Sequence, residues 1–413
     1  MKKYFVQLIF FTTTILALFV AFNWIIDPYW INNTPKIKYL NLSKPAAGDS
    51  RPFEIISILQ KPPQALILGT SREDSGIDPK HPVFHGQSVF NAAIPAQPLI
   101  ESKEILLNLA EHNKFPRQIV FGLYFENANV FYGFPADYTK DNFNESRPFK
   151  LLFSLSTLKL SAKTAVTNLV KESTIPIKDG FRSPDKWADQ LQVGQHKMFK
   201  DSERNYLFYS HFPLPFCKSA LTVETENGNS TTPMQELRDA VSIAYRMKSD
   251  MRLFIGPSHA RQWETIYASG LWVQFEDWKH MVVKIVESEA EKANATPFQV
   301  WDFSGYNSVT EEDVPSLKDI NKRMHYYYDS SHYTPAAGDL VLDRIFNFKS
   351  PERIIPNDFG ALLTSHNIDS HLNSIRVSRE KYRQSHPEDV SEIEALASDV
   401  AKVKRCKTQS PQS

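Results

Sequence analysis

Ala65-Leu66-Ile67-Leu68-Gly69-Thr70-Ser71-Arg72 is the stretch on which the fold turns. Four apolar residues stop at a glycine, and two hydroxyl residues follow at once. A short apolar run of this kind reads as a buried strand. In open α/β sheets ligands gather beyond the carboxyl ends of the strands, so a serine at such an end stands where chemistry is done. Its hydroxyl is a weak nucleophile until a base takes the proton and a third group orients that base. A plainer reading fits the same residues. Thr70-x-x-Glu73 and Ser71-x-x-Asp74 both match a capping box, in which a hydroxyl simply starts a helix.

Outward from this stretch the rhythm is that of a parallel sheet. Residues 53–60 carry apolar side chains at helical spacing and end at Pro62-Pro63. Residues 88–90 read as a short second strand ending at Asn91, residues 99–112 as a helix and residues 118–123 as a third strand. Strand, helix and strand in this order argue for parallel pairing with helices on the sheet faces. The pattern weakens over residues 134–232, rich in proline and aromatic residues, with one helical segment at 151–170. It returns with helices at 233–248, 259–269, 275–293 and 335–348 and strands at 251–256 and 298–303, the last expected strand.

The chain begins Met1-Lys2-Lys3 and continues with an apolar stretch over residues 5–26, about 22 residues and enough to span a bilayer. Lys2 and Lys3 favour a cytoplasmic N-terminus, which places everything after Asp27 across the membrane. Trp24, Tyr29 and Trp30 then fall at the outer interface. A cleaved signal peptide is the rival reading, but its apolar core is usually shorter and no small-x-small site precedes Asp27. The expected organisation is an anchor at 1–30, a linker and first helix at 31–62, an α/β domain at 63–350 with an insertion at 134–232, and a polar, partly helical extension at 351–413.

Composition narrows the function classes. The 413 residues are 42% hydrophobic and 23% charged, so a packed core is expected. Lys+Arg and Asp+Glu both number 47, and this zero net charge gives no field for nucleic acid. Cys217 and Cys406 suggest neither a disulfide scaffold nor a thiolate cluster, although a single bridge between them stays open. No metal and no cofactor are expected, since acids and histidines lack ligand spacing.

The base that Ser71 needs stands far downstream, in Tyr326-Tyr327-Tyr328-Asp329-Ser330-Ser331-His332-Tyr333. An acid three residues before a histidine can hold one ring nitrogen and leave the other to face Ser71. Gly256-Pro257-Ser258-His259 also ends a strand, but His259 has no acid at close spacing, and Ser258 as a helix N-cap is the preferred reading. Arg72 either meets an anionic substrate or a carbonyl, or pairs with Glu73 or Asp74 at the surface. Trp272, Trp278 and Trp301 are expected in the core.

Gly69-Thr70-Ser71 followed by Asp329-x-x-His332 before a C-terminal helix resembles the SGNH (GDSL-like) hydrolase superfamily. Asn91-Ala92-Ala93-Ile94-Pro95-Ala96 resembles its second block, Asn-x-Gly-x-x-Gly. The anchor and the Gly-Thr-Ser-Arg wording look closer to the cell-envelope branch that includes alginate O-acetyltransferase-like proteins and the D-alanine transfer protein of teichoic acid. The resemblance covers residues 65–348 apart from the insertion. It implies a three-layer α/β/α sandwich with a mostly parallel sheet, and acyl-ester chemistry by esterase or O-acyltransferase; acetyl is the acyl group expected here.

Carried over by position, Ser71 is the nucleophile, His332 the general base and Asp329 its orienter. The N–H groups of Ser71 and Ala93 face the oxyanion, and Asn91 and Arg72 complete the substrate-binding set. Two departures stand out. Ala93 replaces the family glycine, and the third block reads Gly122-Leu123-Tyr124-Phe125 without its asparagine, leaving Asn127 and Asn129 as nearby candidates. Loss of one oxyanion donor costs about two to three powers of ten in rate. The expected partners are an acylated polysaccharide or another acyl-ester substrate, the inner membrane and a membrane acyl-donor protein. The alternative is a silent protein that binds glycan or scaffolds an export complex. A membrane-tethered structural partner, docking another protein through the insertion, is a third possibility.

Overall fold

Six strands form one sheet in the order β2-β1-β3-β4-β5-β6. They are β1 (Ala65–Leu68), β2 (Val89–Asn91), β3 (Gln118–Leu123), β4 (Asp250–Ile255), β5 (Gln299–Asp302) and β6 (Ala361–Leu363). The structure is a computed structural model that describes residues 1–44, 50–129, 138–170, 179–182, 187–208, 223–224 and 230–403. Cys217 and Cys406 lie outside the described residues, and with them the question of a bridge. The α-helices are α1 (Lys2–Ile26), α2 (Arg51–Gln60), α3 (Ser71–Gly76), α4 (Leu99–Glu111), α5 (Arg147–Leu152), α6 (Leu155–Val170), α7 (Ala188–Leu191), α8 (Gln195–Phe208), α9 (Pro233–Arg246), α10 (Ala260–Ala268), α11 (Trp272–Lys292), α12 (Pro335–Ile345), α13 (Ile368–Ser385) and α14 (Pro387–Val403).

The fold is α/β with a mostly parallel sheet. Strands β1 to β5 run parallel, with Ala65 opposite both Val89 and Gln118 and Ile119 opposite Met251. All four residues of β1 are buried, which explains why the run is apolar throughout rather than alternating. The order doubles back between β1 and β3, and such a reversal leaves a crevice at the carboxyl ends of the two strands. Trp272 and Trp278 are buried, and Trp301 packs at the edge of a core cluster that includes Phe254, Phe303 and Tyr333.

Several elements differ from the sequence reading. β6 adds an antiparallel strand to β5, Val300 facing Leu363, where residues 298–303 were expected to close the sheet. At three residues it is too short to carry a period. The helix expected over 151–170 is broken at Phe153-Ser154, because the Ser154 hydroxyl accepts from the Ser156 N–H at 3.2 Å and starts α6 afresh. His259, not Ser258, caps α10: its Nδ1 accepts from the Arg261 N–H at 3.2 Å.

The chain divides into two compact units, Met1–Pro62 with Ala136–Gly180, and Pro63–Pro135 with Phe181–Ser413. The expected insertion is thus shared between them. In the first unit Tyr29, Ile31, Ile56 and Leu151 form a small core, with Leu160 against it. α1 has a mean hydropathy of 2.3 over its most apolar window and is long and apolar enough to cross a membrane. Asp27 closes it in the left-handed conformation, and its carboxylate accepts from the N–H groups of Ile31 and Asn32 at 3.0 and 3.1 Å. The second unit holds the sheet and the candidate site.

Candidate functional site

The chain from β1 turns at Gly69 straight into α3, and the turn separates the two hydroxyls. Thr70 is the cap: its side chain and that of Glu73 close a capping box, with the Thr70 N–H donating to Glu73 Oε2 at 2.8 Å. Asp74, the partner Ser71 would need for a box of its own, instead holds Arg182 at 2.7 Å. Ser71 is left as the first residue of α3 with its hydroxyl uncommitted to the helix. That hydroxyl lies 2.8 Å from His332 Nε2.

His332 Nδ1 is in turn 2.8 Å from Asp329 Oδ2. The tautomer that satisfies both contacts carries its proton on Nδ1, donates it to Asp329 and accepts from Ser71 at Nε2. Asp329 Oδ1 also receives the N–H groups of Ser331 and His332 at 2.7 and 2.9 Å, which folds the Asp329-x-x-His332 turn around the carboxylate. Burial alone would push this carboxyl up, but the facing imidazole and these hydrogen bonds outweigh it and bring it down to about 2. It is therefore charged whenever His332 needs orienting. Trp187 lies against the imidazole at 5.0 Å and stacks on Tyr328 at 4.6 Å, covering one side of the ring.

Two braces hold the turn after β1 against the segment that carries His332. Arg72 is buried, and its Nε donates to the Ser331 carbonyl at 3.0 Å. Its other nitrogens reach Glu126 and the Tyr206 hydroxyl, and its guanidinium lies 3.9 Å from the centre of the Tyr124 ring. Burial opposes its charge, but Glu126 more than offsets that and keeps it protonated. The sequence offered Glu73 or Asp74 as its partner; the carboxylate it finds is 54 residues away.

Glu73 is the second brace. Its Oε1 accepts from the Tyr124 hydroxyl and, at 2.9 Å, from the Tyr333 hydroxyl, next to His332. Burial raises this carboxyl above its ordinary range against those bonds. Room for it exists because two strand ends lack side chains. A Cβ on Gly69 would fall 2.1 Å from Glu73 Oε2, and one on Gly122 would fall 2.3 Å from Oε1.

The expected oxyanion donors are only partly assembled. Ser71 is the first residue of α3, where a backbone N–H has no partner within the helix, so it stays available. The Ala93 N–H does not: the side chain of Asn91 takes it at 3.1 Å. Asn91 itself is fully buried and spends its amide on the carbonyls of Glu73 and Ile77 at 2.8 and 2.9 Å, so it secures α3 and does not reach the cleft. Asn127 donates to the Gln97 carbonyl at 2.9 Å, facing away as well. Ala96, at the last glycine position of the second block, adopts a left-handed φ of 55° and lines the cleft with Pro95.

The cleft has a volume of about 780 Å³, and Ser71, Arg72, Asp329 and His332 all line it. Its opposite wall is α8, which sequence reasoning missed. Lys197, Asp201, Ser202, Arg204 and Asn205 project from that helix into the cleft. Ser202 donates to Asp329 Oδ1 at 3.4 Å, so the wall also touches the site. The missed signal was helical spacing within 195–208, obscured by a mostly polar sequence. No family model matches the chain, and neither a curated protein nor a solved structure matches it.

His259, the competing candidate, is buried and spent on structure. Nδ1 caps α10, and Nε2 donates to the Glu312 carbonyl at 2.7 Å. Burial drives its imidazole from 6.5 down to about 4, against the pull of that carbonyl. A depressed base binds its proton better in the unfolded chain. The stability it contributes is therefore full above pH 6.5 and is lost as pH falls towards 4, by up to about 3 kcal/mol. His259→Asn keeps a capping acceptor and removes the titration. Thermal melts of the variant are expected to lose slope across that window, and an acid sensitivity equal to that of the unaltered chain would contradict this.

Proposed function

We propose that the chain is a membrane-anchored, extracytoplasmic serine esterase or O-acyltransferase, with an SGNH-like three-layer α/β/α domain, acting on an exported or cell-envelope polysaccharide. The observation that carries the reading is the continuous hydrogen-bonded chain from Ser71 through His332 to Asp329 in the wall of a cleft. Acetyl is the proposed acyl group. Lys2 and Lys3, at the start of α1, support the orientation that puts the site outside the cytoplasm.

In the proposed reaction His332 Nε2 takes the Ser71 proton while Oγ attacks the acyl carbonyl. The Ser71 N–H, at the start of α3, donates to the oxyanion, and Asp329 stabilises the imidazolium. Collapse breaks the ester C–O bond, the leaving alkoxide oxygen takes the proton from His332 and departs as an alcohol, and the acyl group stays on Ser71. Water or a sugar hydroxyl then gives a proton to His332, attacks the acyl carbon and restores Ser71. The charged and amide side chains of α8 suit a polyhydroxylated substrate, and a membrane protein is the proposed acyl donor. The test is turnover of a chromogenic acetyl ester by the full chain, with and without an oligosaccharide acceptor. Acceptor-dependent transfer supports the transferase arm, hydrolysis alone supports the esterase, and neither overturns the proposal.

A second reading has its own support. The engagement of the Ala93 N–H by Asn91 removes a donor that efficient acyl transfer uses, and this favours a silent, glycan-binding protein. Retention on a glycan column without any ester turnover is its signature.

A further inference from the structure

Helix α6 is built inside out. Its buried face is Thr157, Ser161, Thr164 and Asn168, four polar residues at one helical spacing. The opposite face carries Leu155, Val166, Leu169 and Val170, with Lys159 and Lys163 among them, and all of these are exposed. Leu169 is 67% and Val170 78% exposed, against 0% for Ser161 and 1% for Asn168. A helix in water places its faces the other way round. Lipid reverses the rule, because small and polar residues pack helix to helix while apolar ones meet the acyl chains.

The buried face is turned to the far end of α1. Ser161 donates to Asn23 Oδ1 at 2.9 Å, and Asn23 donates to the Leu152 carbonyl at 2.9 Å. Asn23 thus spends its polar groups on α5 and α6 at the outer end of a mostly apolar helix, where an amide facing lipid would be costly. α5 adds Phe149, which is exposed and whose ring lies 4.9 Å from that of Phe153. Lys159 and Lys163, also exposed, are spaced to reach anionic headgroups while their stems lie along apolar surface.

We infer that α5 and α6 form a second membrane-contacting element, seated with their outward apolar face in the lipid interface beside the outer end of α1. The inference rests on reading α1 as the membrane span. α6 has 16 residues, about 24 Å along its axis, so it lies in the interface rather than crossing the bilayer. The occupant of the exposed face is bilayer lipid, continuous with the lipid around α1.

The full chain, with Cys217 and Cys406 replaced by Ser, is reconstituted in vesicles of phosphatidylethanolamine and phosphatidylglycerol. A nitroxide is attached through Leu169→Cys or Phe149→Cys, with Leu16→Cys in α1 and Val377→Cys in α13 as references. Collision with oxygen, which partitions into lipid, is compared with collision with a water-soluble nickel complex. The expected result is a lipid-like ratio at positions 169, 149 and 16 and a water-like ratio at 377. Water-like ratios at 169 and 149 with a lipid-like ratio at 16 would overturn the inference while leaving the anchor intact. A water-like ratio at 16 would overturn the anchor itself.

Discussion

Ser71→Ala is expected to lower turnover of an acetyl ester by at least about three powers of ten, with the fold unchanged. The expectation of an intact fold follows from the way the two hydroxyls divide their work. Thr70 caps α3, so the helix start survives the loss of Ser71 Oγ. The change removes one half-buried hydroxyl and its 2.8 Å contact with His332 Nε2, and nothing else is bonded to that oxygen among the described residues. Circular dichroism and the melting temperature should therefore stay close to those of the unaltered chain while the rate collapses. A variant that keeps more than about a tenth of the rate would remove Ser71 from the chemistry, since nucleophile losses in triads are far larger.

Arg261→Met is expected to cost about 3–5 kcal/mol of stability. The Arg261 side chain is fully buried, as is that of Glu203, which it meets at 2.6 and 2.9 Å through two parallel bonds. It also reaches Asp389 at 2.6 Å and Glu392 at 2.7 Å on α14. Methionine fills much of the volume but leaves the Glu203 carboxylate in the core without its cation, and an uncompensated buried charge is the expensive case. Adding Glu203→Leu should recover most of the loss, because an apolar pair of similar volume is often neutral. Urea denaturation of the two single variants and the double variant gives the coupling directly. A single variant within about 1 kcal/mol of the unaltered chain would show that the pair is not the brace it is taken for. Glu203 adjoins Ser202 on α8, so loosening this wall is also expected to disturb the contact to Asp329.

Much of this site is legible in the sequence. The run Ala65 to Leu68 is a fully buried strand, and an apolar stretch ended by a glycine announces that locally. Asp329 and His332 were legible because one turn contains both, and turn chemistry is local too. What the sequence left undecided was which hydroxyl caps α3, since Thr70 and Ser71 each have an acid three residues on. The structure separates them through the partners those acids take, Glu73 in the box and Asp74 on Arg182.

Arg72, Ala93 and α8 mark the limit of local reasoning. The carboxylate that Arg72 meets, that of Glu126, lies after β3 and is brought near by the pairing of β1 with β3. The Ala93 N–H was expected to face an oxyanion, yet the Asn91 side chain folds back two residues and takes it, a local competition the motif does not encode. α8 is placed by Glu203 on Arg261, a pairing across 58 residues, and by the buried Met198, Phe199, Tyr206 and Leu207, whose helical spacing is hard to read within a mostly polar sequence.

The most direct test is the mass of the Ser71-containing peptide after the full chain is treated with a fluorophosphonate, which phosphonylates only an activated serine. The predicted result is an adduct on Ser71 that is absent from Ser71→Ala and strongly slowed in His332→Ala. An unmodified Ser71 peptide, or an adduct carried by another residue at the same rate in all three proteins, would contradict the assignment of Ser71, His332 and Asp329 as a working nucleophile, base and orienter.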